Sequence, residues 1–498
     1  MNAQSSILAA PSRKGSTFIG VFWVLILGLA VNAAADPILD WTALLLNAIR
    51  LDDSAPTLAS RNLAILHTAI YDAVNGIEQS CQPYRFHPDP LLGVFLEVAT
   101  VAAAYAIIQG LYPPSQKPAD DLYTAYVTET PASESLTNGL AYGREIGQMV
   151  LSSRSADGAT TLVPYIPSDA PGQWRRTPPF FRPPVDPQWR YLVPFCLPDI
   201  EPFVPPGPPA LTSDQYASDV NEVQAIGALN SQVRTPDQSQ TAIFWSDFSY
   251  TATPPGHWHE IASAVANSHG NSLSENARMF ALLSMAQADS AIVCWEAKYR
   301  YNSWRPVTAI QRADEDGNPA THQDTNWTSF LSSPNFPEYS SGHSTFSKAS
   351  ATVLTAFYGT DALSFTVGSD AQPGVYRTYA SLSACAEEIG LSRIYAGIHF
   401  PSAVRDGKAC GAKIGTYVSL NYLLPNDRLP MLVIQAGAEG SPVLRVHGHI
   451  GKGCVTEASD DLHTWSAIST NTAVVGGFPI DHPAPDRVGS RFYRVREP

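Results

Sequence analysis

Long stretches with apolar residues at helical spacing occupy most of the chain and constrain its fold more than any other feature. Segment 40–77 places apolar side chains three or four positions apart, as in WTALLLNAIR and SRNLAILHTAIYDAVNGI. This spacing is typical of helices that bury one face. The pattern recurs at 95–112, at 137–153, in SENARMFALLSMAQADSAIVCWEAKYRYNSW, after His343, in AEEIGLSRIYAG and near 403–421. The sequence therefore predicts a mainly α protein built as a helical bundle.

Two regions depart from the helical pattern. Residues 163–210 are dense in proline, with TPPFFRPPVDPQW and PPGPP, and proline blocks helix interiors. This segment is predicted to be either an extended strip over the folded body or a linker. After Pro425, short β-rich segments such as MLVIQAGAE, VLRVHGHI and FYRVRE are broken by Gly, Asp and Pro, which indicates a small β module. We predict a helical domain over 36–428, with an anion-site core over about 270–425, and a β-rich C-terminal module over 429–498.

The N-terminal segment 1–35 has the layout of a secretory signal peptide. Arg13 and Lys14 precede the apolar run FIGVFWVLILGLAV, and small residues follow at 32–35. We expect this segment to be removed, the protein to be periplasmic or secreted, and no membrane span to remain. An uncleaved anchor is the weaker alternative, because the run is short for a spanning helix. The formal net charge of −14 argues against general nucleic-acid binding, which needs an electropositive surface.

Cysteine and histidine spacing gives no conventional metal motif. Six cysteines are scattered without a CxxC pair, which argues against a zinc cage and permits disulfides in an exported protein. His257 and His259 form one close pair and His447 and His449 another, but two histidines do not make a metal site. We interpret both pairs as parts of exposed polar faces.

The stretch PEYSSGH, residues 337–343, leads into the helical segment STFSKASATVLTAFYG. A helix start leaves its first backbone N–H groups without partners and carries partial positive charge. Ser340 or Ser341 at this point is explained by helix capping. Gly342 followed by His343 also suits an oxyanion bound by backbone N–H groups, with a proton donor beside it. Both interpretations stay open at this point.

Two further segments carry cationic and imidazole side chains. Lys298 and Arg305 are seven residues apart, about two helical turns, so they can share one face. Such a pair forms either a solvated stripe or, given the aromatic residues around it, the wall of a pocket. Arg393 and His399 flank a predicted helix end, where the histidine is either structural or functional. Together with His343, these residues supply the forked donors, the point charge and the imidazoles that suit a tetrahedral or trigonal oxyanion.

The three segments together resemble the signature blocks of the vanadium-dependent haloperoxidases and of the related type 2 phosphatidic acid phosphatase superfamily. The blocks are Lys298-x6-Arg305-Pro306, Ser341-Gly342-His343 and Ser392-Arg393-x5-His399, in the order and with the internal spacings of the family. The resemblance extends over roughly 38–425 and excludes the β module. It implies a haloperoxidase-like helical bundle as the core of the fold.

The resemblance also implies roles for individual residues. His399 would bond vanadium as the metal ligand, and the remaining vanadate-binding groups would be Lys298, Arg305, Ser341, Gly342, His343 and Arg393. Catalytic roles would fall to His343 as acid–base group, to His399, to Lys298 as donor to bound peroxide, and to Asp247 as partner of His343. Trp295 and Phe336 would lie beside the halide site. The substrates would be hydrogen peroxide, a halide and a small organic molecule.

Two positions depart from the family pattern. Ser340 stands where the pattern usually has proline, and Ala403 stands where the phosphatases have the aspartate that orients the last histidine. Asp406 lies three residues further on and is a possible substitute. We therefore expect an exported vanadate-dependent haloperoxidase. The alternatives are a secreted acid phosphatase that binds phosphate in the same pocket and an inert secreted binding protein that acts through its β tail.

Overall fold

The computed structural model describes residues 36–89, 93–436, 442–480 and 491–498. The predicted signal peptide lies outside the described residues. Most of the described chain is helical, which confirms the predicted fold class. The helices are α1 (Pro37–Asp52), α2 (Pro56–Glu78), α3 (Leu96–Leu111), α4 (Gln116–Glu129), α5 (Glu134–Arg154), α6 (Asp214–Ile226), α7 (Pro236–Phe244), α8 (Thr253–His269), α9 (Leu273–Tyr301), α10 (Pro306–Gln311), α11 (Gly342–Tyr358), α12 (Leu382–Tyr395) and α13 (Pro401–Asn421).

Helix α9 is the centre of the bundle. It begins with a capping box in which Ser272 and Glu275 exchange side-chain and backbone hydrogen bonds, a pairing that satisfies two donors at a helix start. Nearly every residue from 276 to 299 is buried, because α2, α11 and α13 all pack against this helix. A helix that is buried on all sides has to carry its polar residues in defined contacts. The C-terminal end of α9 therefore holds Lys298 inside the protein.

Helices α11 and α13 pack closely through glycines. A Cβ atom added at Gly411 of α13 would lie 2.2 Å from the carbonyl oxygen of Thr345 on α11. A Cβ atom at Gly407 would lie 2.8 Å from the carbonyl oxygen of Ser341. Only glycine allows backbones to approach this closely. The contact fixes the start of α11 against the helix that follows His399.

The proline-rich segment covers the helical body. Among its residues Trp174 and Trp189 are buried, and the carboxylate of Asp289 on α9 accepts three consecutive backbone N–H groups from 195–197 at 2.7–2.9 Å. These contacts confirm the first alternative, an extended strip over the folded body, and exclude a free linker.

A short β-hairpin interrupts the helical body between α11 and α12. Its strands, β1 (Phe365–Gly368) and β2 (Tyr376–Tyr379), pair antiparallel with Phe365 opposite Tyr379. The helical body is therefore mainly α and not entirely α. Four-residue strands carry little periodic signal, so the sequence pattern did not reveal them.

The C-terminal region forms two three-stranded sheets, as the β-rich texture predicts. Their orders are β3-β4-β7 and β6-β5-β8, with bounds β3 (Met431–Ala436), β4 (Pro442–His447), β5 (Gly453–Ser459), β6 (Ser466–Thr472), β7 (Phe478–Ile480) and β8 (Phe492–Arg496). His447 Nε2 lies 3.1 Å from Asn421 Oδ1 of α13, and Gln82 of the helical body donates to the carbonyl of Gly448 at 2.9 Å. His447 is fully buried in this contact. Its interpretation as part of an exposed polar face is wrong, because the strand docks on the bundle.

Two further features bear on the sequence predictions. No helix among the described residues has the length and apolarity needed to span a membrane. All six cysteines fall within the described ranges, and all six are free thiols.

Candidate oxyanion-binding site

The pocket is built around the start of α11. Ser341 is the N-cap of this helix, and its hydroxyl accepts the backbone N–H of Ser344 at 3.4 Å. The N–H of Thr345 bonds to the carbonyl of Ser341 at 3.0 Å, so the N–H groups of Gly342 and His343 precede the hydrogen-bonded part of the helix. The capping interpretation is confirmed. The same geometry leaves the positive end of the helix dipole at the pocket.

Lys298 lies at the end of α9 and is completely buried. Its ammonium group donates to the backbone carbonyls of Pro337, Glu338 and Ser340 at 3.0, 3.1 and 2.6 Å. An ammonium group has three donors, so these three acceptors use all of them. Burial lowers the pKa of Lys298 to about 8. In this structure Lys298 holds the turn at 337–340, whereas the resemblance implies a donor to a bound ligand.

Two buried arginines have donors left over. Arg305 bonds through Nε to the carbonyl of Phe336 at 2.9 Å and through Nη1 to that of Ile398 at 2.8 Å. Arg393 bonds through Nη1 to the carbonyl of Trp245 at 2.8 Å. Among the described residues, Nη2 of Arg305 and both Nε and Nη2 of Arg393 have no hydrogen-bond partner. Burial lowers the pKa of Arg305 to about 10 and that of Arg393 to about 9, so both stay charged at neutral pH.

His399 lies at the start of α13 and is fixed from one side. Its Nδ1 lies 2.8 Å from Oε1 of Glu338, and the same oxygen accepts the N–H of Phe400 at 2.9 Å. Its other nitrogen, Nε2, lies 3.2 Å from Nη1 of Arg305. Burial, with the charge of Arg305 next, lowers the pKa of His399 well below its ordinary value. The imidazole is therefore neutral.

The carboxylate that orients His399 is not the one considered from the sequence. Ala403 is buried and has no polar side chain. Asp406 accepts the hydroxyl of Tyr339 at 2.7 Å and the Nε of Arg405 at 2.8 Å. Asp406 is therefore engaged elsewhere, and its expected role as substitute is wrong. Glu338, which precedes His399 in the sequence, makes the contact with His399 that the aspartate of the phosphatases would make.

His343 and Asp247 are close, but they are not hydrogen-bonded. The distance from His343 Nε2 to Asp247 Oδ2 is 3.9 Å, beyond hydrogen-bond length. Asp247 Oδ1 instead lies 3.0 Å from Nδ1 of His257. Burial and the charge of Arg393 lower the pKa of His343 well below its ordinary value. His257 and His259 are both buried, so the interpretation of this pair as part of an exposed polar face is wrong.

A cavity of about 650 Å³ brings most of the predicted site residues together. Trp295 and Phe336 form one wall, with ring centroids 5.1 Å apart. The ring of Phe336 also lies over both cations, 4.8 Å from Lys298 Nζ and 4.9 Å from the guanidinium carbon of Arg305. The predicted residues that line the cavity are Asp247, Trp295, Phe336, Gly342, His343, Arg393 and His399. Lys298, Arg305 and Ser341 are buried directly behind this lining.

The free groups of the pocket are hydrogen-bond donors and imidazole nitrogens. The described residues contain no cluster of three or more His, Cys, Asp or Glu placed to hold a metal cation. Unpartnered guanidinium N–H groups and helix-start amides favour an anion with several oxygens. Sequence reasoning found these groups, missed Glu338 and assigned His257 to an exposed face. Glu338 stands inside the PEYSSGH stretch, so its position next to the motif was the one available signal.

Comparisons with known proteins agree with this architecture. Residues 278–423 match the family model described as the VCPO second helical-bundle domain. The vanadium chloroperoxidase of Curvularia inaequalis is 30% identical over 181 residues, which cover 30% of this chain and 29% of that protein. The match thus spans less than a third of the relative's own length.

Solved structures match over a larger part of the chain. The crystal structure of a bacterial vanadium-dependent iodoperoxidase superposes with a TM-score of 0.71 and 26% identity, covering 79% of this chain and 97% of the other. The apo form of a bacterial vanadium-dependent chloroperoxidase gives a TM-score of 0.60 at 16% identity, covering 73% and 92%. At 16% identity, the likeness to the chloroperoxidase shows the fold alone.

Fold and site together define a helical bundle with a pocket suited to an oxyanion, whose unpartnered groups come from the start of α10, the start of α11 and the α12–α13 junction. The matches above support a vanadium-dependent haloperoxidase.

Proposed function

We propose that the protein is an exported vanadate-dependent haloperoxidase that uses hydrogen peroxide to oxidise a halide to a hypohalous species, which then halogenates small organic molecules. One observation carries the proposal. The unpartnered N–H groups of Arg305 and Arg393 lie beside His399, whose Nδ1 is already held. This set of donors fits vanadate, which needs several hydrogen bonds to oxygen and one nitrogen ligand, since Nε2 of His399 is an acceptor that only Arg305 Nη1 approaches, at 3.2 Å.

The binding roles follow from the free atoms. Arg305 and Arg393 would donate to the oxygens of vanadate, together with the amides at the start of α11. His399 would bond vanadium through Nε2, the nitrogen that Glu338 does not engage. Lys298 would act indirectly, because its three donors hold the 337–340 turn. Bound vanadate would supply a Lewis-acidic centre that activates hydrogen peroxide toward halide, and the oxidation state of vanadium would not change.

The remaining residues would handle protons and halide. His343 is neutral and lines the cavity, so its imidazole can accept a proton from incoming hydrogen peroxide and return one to the product. Trp295 and Phe336 form an apolar wall that limits water around the halide. The cavity volume leaves room for a small organic molecule near its mouth.

The test is a paired assay on protein purified without phosphate. Bromination of a phenolic dye with hydrogen peroxide and bromide is measured with and without orthovanadate. We expect activity that depends on vanadate, that is lost in His399→Ala, and that persists in His463→Ala, which changes an exposed histidine of the β module. Bromination without vanadate, or bromination that survives His399→Ala, would overturn the proposal.

An acid phosphatase is the second candidate, and one observation favours it. The contact between Glu338 and His399 supplies the oriented imidazole that a histidine nucleophile needs. The same preparations are therefore tested on a chromogenic phosphate ester. Ester hydrolysis that vanadate inhibits, without bromination, would assign the phosphatase function. Vanadate binding without turnover in either assay would leave an inert binding protein.

Export is the third part of the proposal. The charged, apolar and small-residue order of 1–35 supports it. N-terminal sequencing of the protein recovered from the periplasm and the medium is expected to begin at Asp36. Recovery of the intact chain only in the cytoplasm would exclude it.

A further inference from the structure

We propose that Glu338 is a positioning residue that selects the tautomer of His399 and turns Nε2 toward the pocket. The inference deepens the proposed function and rests on it for the identity of the ligand. The sequence pattern points to positions 403 and 406 for this task, and neither Ala403 nor Asp406 performs it.

The hydrogen-bond geometry determines which nitrogen of His399 carries the proton. Oε1 of Glu338 accepts the N–H of Phe400 at 2.9 Å, so this oxygen is an acceptor whether or not the carboxyl group is ionised. A proton on the carboxyl group would then lie on Oε2. Nδ1 of His399, 2.8 Å from Oε1, is therefore the donor. A neutral imidazole with a proton on Nδ1 has its lone pair on Nε2.

The backbone of Glu338 is held as firmly as its side chain. Its N–H donates to the carbonyl of Ser303 at 2.9 Å, and its carbonyl accepts from Lys298 Nζ at 3.1 Å. Both partners belong to the segment that leads into Arg305. Glu338 thus connects all three site segments, through its backbone to 298–305, through its side chain to His399, and along the chain to Ser341.

Burial makes this arrangement specific. Glu338 and His399 are 1% and 2% exposed, so water does not compete for the bond between them. In a ligand site of this kind, the group that orients a ligating histidine typically contributes about 10–100-fold to affinity. If Glu338 acts only by orienting Nε2, substituting Glu338 should weaken the affinity only for ligands that bond to that nitrogen.

The test compares two anions that use the pocket differently. Orthovanadate can bond to Nε2, whereas inorganic phosphate is held by hydrogen bonds from the arginines and amides. Dissociation constants of both anions are measured by equilibrium dialysis on Glu338→Ala, Glu338→Gln and the unchanged protein. We expect Glu338→Ala to weaken vanadate binding about 10–100-fold and phosphate binding much less. Glu338→Gln keeps an acceptor at Oε1 and is expected to restore most of the vanadate affinity.

Asp406→Asn is the matched control, because it neutralises the carboxyl group that the sequence suggested instead. It is expected to leave the ratio of the two affinities unchanged. Equal loss of both anions in Glu338→Ala would indicate a general structural role and would overturn the proposal. The proposal also fails if Asp406→Asn, and not Glu338→Ala, changes the ratio.

A second readout is independent of any anion and of catalysis. Long-range ¹H–¹⁵N spectra of ¹⁵N-histidine-labelled apoprotein, with His399 assigned by comparison with His399→Ala, report which ring nitrogen carries the proton. We expect Nδ1 to be protonated in the unchanged protein and in Glu338→Gln, and the tautomer to change or become mixed in Glu338→Ala. An unchanged tautomer in Glu338→Ala would refute the positioning role even in a protein that brominates. The expected pattern in a protein that does not brominate would sustain it while the haloperoxidase proposal fails.

Discussion

Asp247 lies between two histidines and is hydrogen-bonded to only one of them. Its Oδ1 is 3.0 Å from Nδ1 of His257, whereas its Oδ2 is 3.9 Å from Nε2 of His343. The other nitrogen of His257 lies 2.8 Å from the carbonyl oxygen of Gly368 on β1. Both ring nitrogens of His257 therefore face acceptors, which favours a doubly protonated ring. The charge of His257 then balances Asp247, and His343 remains neutral beside them.

The first prediction concerns this buried pair. Burial acts to lower the pKa of His257, but the Asp247 carboxylate outweighs it and the net pKa is raised. A raised pKa in the folded state stabilises the protein below the ordinary histidine pKa, and that contribution is lost as the pH rises through the folded value. We expect His257→Asn to lower the free energy of unfolding by about 3 kcal/mol at acidic pH, and by less as the pH rises.

Urea unfolding at a series of pH values from about 5.5 to 9 measures this effect. The control is the same substitution in an Asp247→Asn background, where the charge partner is absent and burial is the main effect on the pKa of the imidazole, so the pH dependence of the difference should reverse in sign. A destabilisation that is constant across this range, or one that grows with pH, would contradict the imidazolium assignment.

The structure brings most of the predicted site residues to one cavity, whereas the sequence did not predict the contacts that support them, for a physical reason. Lys298, Arg305, Arg393 and His399 stand in short blocks whose spacing can be seen without a structure. Glu338 binds a residue 61 positions away, and no local periodicity encodes such a contact. The function of Glu338 therefore became visible only from the fold, although the residue belongs to the PEYSSGH stretch.

The secondary structure likewise divides into elements that the sequence predicts and elements that it does not. Long helices such as α2 and α9 carry enough apolar repeats to be predicted, whereas α4 and the β1–β2 hairpin do not. His257 was assigned to an exposed polar face because two close histidines do not make a metal site. Pro254 and Pro255 occupy the first turn of α8, where proline is tolerated, and the histidine that follows them is carried into the core.

The second prediction tests the close contact that aligns the site helices. Gly411→Ala would place a methyl group 2.2 Å from the carbonyl oxygen of Thr345, so α11 and α13 would have to separate. We expect a loss of roughly 3 kcal/mol in the free energy of unfolding, despite the better helix propensity of alanine. Gly453→Ala, at an exposed strand position with open space around it, should change stability by less than about 0.5 kcal/mol. Urea unfolding measures the loss of unfolding free energy in both variants. Equally small losses in the two variants would show that the helices are not in close contact.

The third prediction concerns the cysteines. All six are free thiols, although the export-type N-terminus of the chain permits disulfides. We expect the melting temperature to be the same with and without a reductant, since a native disulfide would contribute about 2–4 kcal/mol. A maleimide should label at most Cys81 in the folded protein, slowly because burial raises its pKa, and all six thiols after denaturation. A melting temperature that falls in reductant would demonstrate a disulfide.

The last prediction separates charge from geometry at the anion site. Arg393 offers two unpartnered N–H groups from a planar fork, while its Nη1 is fixed by the carbonyl of Trp245. Arg393→Lys keeps the positive charge but cannot present two parallel donors. Because a hydrogen bond to a charged group contributes about 1.5–3 kcal/mol, we expect the affinities for vanadate and phosphate to fall by about tenfold to a hundredfold, and by similar factors. This parallel loss contrasts with the selective loss expected for Glu338→Ala. Arg144→Lys on the exposed side of α5 is the matched control. If Arg393→Lys binds both anions as tightly as the control, the pocket attracts oxyanions by net charge alone and the fork geometry of Arg393 is not used.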